Sequence, residues 1–151
     1  MRRVMTGCAL AAVAVLAAGC PSDDPTSPDG NLLTGTWGGD NVALILEDAD
    51  AHVHIGCTNG DFSAPLSVDD DGRVNVAGSY VLRAYPIQIG PSLPAQFAGV
   101  VDGRRLTFTV AVNDTVEKKL VVLGPVTVTF GVEPRMGPCP ICDRRLMGAE
   151  R

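Results

Sequence analysis

The chain has 151 residues, 46% of them apolar and 19% charged, with a formal net charge of −5. That balance provides for one small core and excludes a largely disordered chain. The acidity, with no basic cluster to neutralise phosphates, excludes nucleic acid as a partner.

Met1, Arg2 and Arg3 open the chain with positive charge, and residues 4–19 follow with none. This stretch is shorter than the roughly 20 residues a helix needs to cross a bilayer, and small residues precede Cys20. It therefore reads as an export signal over residues 1–19 rather than a retained span. The run LAAGC, Leu16 to Cys20, resembles the lipobox of bacterial lipoproteins. The resemblance implies that the Cys20 thiol receives diacylglycerol, that the leader is cut away, and that the new amino terminus takes a fatty acid such as palmitate. Cys20 is then the lipid anchor, and the protein belongs to the bacterial cell envelope, on the inner or the outer membrane. One acyl chain holds a protein marginally and several hold it durably. A plain secretory signal with a cysteine at its cleavage site is the alternative.

Residues 20–33 read as the lipidated cysteine and a flexible tether. PSDDPTSPDGN, at 21–31, is rich in Pro, Ser and Asp and has no large apolar side chain. Its reach is at most roughly 40 Å.

From Thr34 the pattern changes to short apolar/polar alternations separated by Gly, Asn, Asp and Pro, the signature of an all-β domain, here over 34–134. Val42, Leu44 and Leu46 share one face, as do Val53, Ile55 and Cys57. Leu106, Phe108, Val110 and Val112 form another such face, and Val126, Val128, Phe130 and Val132 a fourth. Asp69 to Gly72 and the Asp102–Gly103 pair are hairpin signals. Strands are expected near 34–38, 42–48, 51–57, 63–69, 73–84, 95–102, 104–113 and 118–132, the last with a possible break at Gly124 and Pro125. About eight sequential strands favour a small up-and-down antiparallel β-barrel, which removes sheet edges. A two-sheet β-sandwich is the alternative. A Cys- and Pro-containing tail, 135–151, completes the chain.

The opening TGTWGG, with Gly35 and Trp37, resembles the glycine-x-tryptophan start of lipocalin-like (calycin) barrels. With DGRVNVAGSY at 71–80, FAGVVDG at 97–103 and LTFTV at 106–110, it is also similar to a group of small bacterial proteins that carry GTWGG near the start and a cysteine ending the third strand. The calycin resemblance implies that Trp37 plugs one barrel end beneath a basic side chain, for which Arg135 is the candidate. Without it, Trp37 reads as a large core residue.

Cys8 leaves with the leader, so Cys57, Cys139 and Cys142 remain once Cys20 is lipidated. Export permits a disulfide, and Cys57, at a strand end, can meet the C-terminal segment. The bacterial resemblance implies Cys139 as its partner, with Cys142 the alternative. CPIC, Cys139 to Cys142, also has the spacing of redox and zinc motifs, but it lies in a Pro-rich tail rather than at a helix start on a βαβ scaffold. Zinc needs about four ligands, and His52 and His54 point outward and need help from elsewhere to hold a metal. No metal site, cofactor or catalytic residue is assigned. Asp69 to Asp71 lack the spacing of a calcium loop, and the Asn113 to Thr115 sequon carries no assignment.

No serine elbow, acid–base pair or phosphate loop can be assembled. The expectation is a non-catalytic, membrane-anchored envelope protein with a surface-binding or structural role toward an envelope protein partner. The polar residues His52, His54, Thr107 and Thr109 are read as one open face. The alternative is lipocalin-like binding of a small apolar ligand inside the barrel; thiol redox or metal binding through CPIC comes third.

Overall fold

The computed structural model describes residues 25–27, 29–83 and 90–139. The leader, Cys20 and Cys142 lie outside the described residues. Eight strands follow one another: β1 (Gly35–Gly39), β2 (Val42–Leu46), β3 (Asp50–Ile55), β4 (Thr58–Ser63), β5 (Arg73–Val81), β6 (Leu93–Asp102), β7 (Arg105–Asp114) and β8 (Lys119–Phe130). Each pairs antiparallel with the next, and β8 returns to β1 through Trp37–Phe130 and Gly38–Thr129. The result is a closed barrel, not a sandwich.

Period-two alternation dictates what is inside. Val42, Leu44 and Leu46 of β2, Ala51 and Val53 of β3, and Leu106, Phe108, Val110 and Val112 of β7 are all buried. Phe97 lies between two further rings, with centroids 5.5 Å from Phe62 and 4.6 Å from Phe108. Burying each such side chain contributes roughly 1.5–3 kcal/mol.

The turns explain where the expected strands are displaced. Gly56 and Cys57 alone connect Ile55 to Thr58, with Gly56 at φ 59°, so β4 begins at residue 58 rather than 63. Asn59–Gly60 resembles a turn dipeptide but lies within β4. A side chain at Gly60 would collide with the ring of Tyr80, its cross-strand partner, so the glycine makes room for a buried tyrosine. Residues 64–72 are a loop rather than a strand; it contributes isolated bridges at Ser67 and Val68 and buries Leu66. In β8 the expected break is a register shift opposite Phe108 and Val110, at the cis Gly124–Pro125 bond, and the strand continues through it.

The segments flanking the barrel pack against it. Within the stretch expected to be a tether, the Leu33 N–H donates to the Pro25 carbonyl, Asn31 bridges to Ser67, and Leu32 is buried at the end where β1 begins. Residues 131–139 form a strap across the outside of β1. The strap lies so close to Gly38 that a Cβ there would meet the Val132 carbonyl and the backbone of residues 133 and 134.

Candidate functional site

At the end where β1 begins, Trp37 is fully buried and donates its indole N–H to the Leu33 carbonyl at 3.1 Å. Its ring packs on Phe130, with centroids 5.1 Å apart. The basic side chain nearest this stack is not Arg135. Arg104, from the β6–β7 turn, lies 6.0 Å above the Phe130 ring and donates to the Phe130 carbonyl at 2.7 Å. Arg135 instead pairs with Asp40 outside the barrel at 2.7 Å, both largely exposed. An exposed pair of this kind contributes little to stability; backbone bonds join the strap to β1 here, with the Arg135 N–H donating to the Gly39 carbonyl and the Asn41 N–H to the Arg135 carbonyl.

At the other end, Cys57 is disulfide-bonded to Cys139, with Cα atoms 5.4 Å apart. The bond holds the strap where it reaches the β3–β4 turn. An apolar groove of 200 Å³ opens beside it, lined by His54, Gly56, Asn59, Met136 and Gly137 as well as the two cysteines. Tyr80 is fully buried near this end. The Thr58 hydroxyl donates to the Ile55 carbonyl at 2.7 Å, so the hydroxyl of Tyr80 donates to Thr58, 2.8 Å away. Burial raises the Tyr80 phenol to about 12.

Asp114, where β7 meets its turn, is the buried acid among the described residues. One carboxylate oxygen accepts the Val116 and Glu117 N–H groups, each at 3.0 Å, and the other accepts from Arg83 at 2.8 Å. The Glu117 N–H, then Arg83 and Val116, hold its pKa below the ordinary value, against desolvation. Its own turn shelters it, rather than depth in the core.

The outer surface divides differently from the expectation. His52 and His54 are on β3 and Thr107 and Thr109 on β7, four strands apart in a closed ring of eight, so they face opposite sides. Thr107 pairs its hydroxyl with Thr127 at 2.8 Å. With Thr109, Arg73, Asn75, Val100 and Pro125 it lines a shallow groove of 290 Å³ on the outside of the barrel. On β3, the Nδ1 of His52 is 2.5 Å from a carboxylate oxygen of Asp61, and the Nε2 atoms of His52 and His54 are 2.9 Å apart. Partial burial, then the neighbouring His52, lower the pKa of His54, and Asp61 opposes them. Sequence reasoning missed Asp61. The signal was available: with a two-residue turn at Gly56 and Cys57, position 52 pairs with position 61.

Among the described residues, no group of three or more His, Cys, Asp or Glu side chains is placed to hold a metal ion. No family model matches the chain, and neither a curated protein nor a solved structure matches it.

Proposed function

We propose that this chain is a lipid-anchored protein of the bacterial envelope, held through Cys20, whose barrel is a packed, non-catalytic body that acts through its outer surface. The observation that carries the packed-body part of this reading is the filled interior. Trp37, Tyr80, Phe97 and Phe108 are buried with ten or more aliphatic side chains in one cluster, and the Phe62, Phe97 and Phe108 rings touch across it. An internal ligand requires space, and among the described residues the clustered core side chains take up the barrel's interior, with a 210 Å³ groove beside Leu32 and Leu46 at its end. The grooves beside Thr107 and beside the disulfide both lie on the outside of the wall.

Face polarity supports the same reading. Barrels that cross membranes are apolar outside. Here Arg73 and Asn75 of β5, Gln96 of β6 and Thr107 of β7 face outward while their neighbours Val74, Phe97 and Phe108 face in. Attachment to a membrane then falls to lipid, for which LAAGC at 16–20 provides the thiol. The β7–β8 hairpin exposes Val116, Leu120 and Val122, an apolar strip suited to a protein partner.

Native mass spectrometry of the delipidated protein tests the packed-body reading. The expected mass is that of the polypeptide alone. A stoichiometric small molecule that leaves only on unfolding would overturn it in favour of a lipocalin-like carrier.

A further inference from the structure

His52 and His54 alternate on one strand, so both imidazoles project from the outer face of β3, where His52 is about one-third exposed. Their Nε2 atoms are 2.9 Å apart, and their rings meet edge to face at 4.7 Å. Asp61, directly across the β3–β4 ladder, takes the Nδ1–H of His52. That bond fixes the tautomer: with the proton on Nδ1, the neutral His52 ring presents a lone pair at Nε2. His54 donates its own Nε2–H to that lone pair.

This arrangement has the parts of a metal site. A carboxylate–histidine pair with the second ring nitrogen open is the usual support of a ligating imidazole, orienting the ring and raising its basicity. We propose that the Nε2 atoms of His52 and His54 form a surface site for a divalent late transition metal, copper(II) above all, with Asp61 as the positioning residue behind His52.

Ligand type selects the metal: imidazole nitrogens suit late first-row transition metals, and copper(II) binds them the most tightly of the divalent series. Binding moves the His54 proton from Nε2 to Nδ1 through solvent, and no proton is released overall. The described residues supply two ligands, and water or an anion completes the coordination on the exposed side.

The test uses the full chain in detergent, with free thiols blocked by iodoacetamide so that cysteine cannot compete. Copper(II) is titrated in and followed by electron paramagnetic resonance. The expected result is one copper per chain with hyperfine structure from two nitrogens. His52→Gln and His54→Gln should each weaken binding at least about tenfold and lose one nitrogen from the spectrum. Asp61→Asn should keep both nitrogens but bind about 10–100-fold more weakly. These side chains are on the outer face, so circular dichroism should show all three variants folded. Wild-type affinity in the His52→Gln/His54→Gln double variant, or in Asp61→Asn, would overturn the proposal.

Discussion

Cys57, in the tight turn between β3 and β4, is bonded to Cys139, 82 residues later, and this bond pins the strap that crosses the outer face of Gly38. Closing a loop of that length contributes about 4.5 kcal/mol in the chain-entropy model. Urea unfolding of the oxidised protein and of Cys57→Ser should therefore differ by about 2–4 kcal/mol. Protease should cut residues 131–139 of the variant first. Equal midpoints would mean that the strap holds without its bond.

Gly38 has no room for a side chain, because the atoms that a Cβ would meet are backbone atoms of the strap and cannot rotate away. Gly38→Ala should cost about 1–3 kcal/mol by overpacking, with the loss read from the denaturation midpoint. In a chain truncated after residue 131 the same substitution should cost much less. That comparison distinguishes crowding by the strap from an intrinsic effect on β1.

Asp114 should control part of the acid limb of stability. Its folded pKa lies below the ordinary value near 3.8, because it accepts from Glu117, Arg83 and Val116. A depressed carboxylate contributes stability that is fully present above the unfolded pKa and is lost as pH falls through the lower folded one. Thermal unfolding between pH 6 and pH 2 should show that loss in the wild type. Asp114→Asn turns an amide NH₂ toward Arg83 or toward the turn N–H groups, so it should be less stable at pH 6 and flatter below pH 4.

Phe97 lies at the centre of the ring stack and is fully buried. Phe97→Ala should cost about 3–5 kcal/mol, transfer and cavity together. A cost under about 1 kcal/mol in urea unfolding would show an interior loose enough to collapse around the gap, contrary to a packed barrel.

How far the fold could be read from sequence depended on whether a residue's neighbours were local. β7 was legible because Leu106, Phe108, Val110 and Val112 alternate without interruption and all four are buried. The matching series in β8 was less faithful: Val128 is buried, but Val132 has passed the strand end into the strap and is 45% exposed. Asn59–Gly60 has turn chemistry inside β4, and only the ring of Tyr80, twenty residues away, explains that glycine in a strand. The outward direction of His52 and His54 followed from alternation, whereas their link to Asp61 required the register of one hairpin. Pairing Trp37 with Arg135 failed for a similar reason: closure of the barrel brings Arg104 over Phe130 and leaves Arg135 to Asp40.

We propose that lipid on Cys20, not any part of the folded barrel, holds this protein at a membrane. Mass spectrometry of the amino-terminal peptide from the native host's membrane fraction tests it most directly. The expected result is a peptide that begins at Cys20 and carries a diacylglyceryl thioether, and a Cys20→Ser chain that no longer collects in that fraction. An amino terminus at Met1, or an unmodified Cys20 thiol on membrane-bound material, would contradict it.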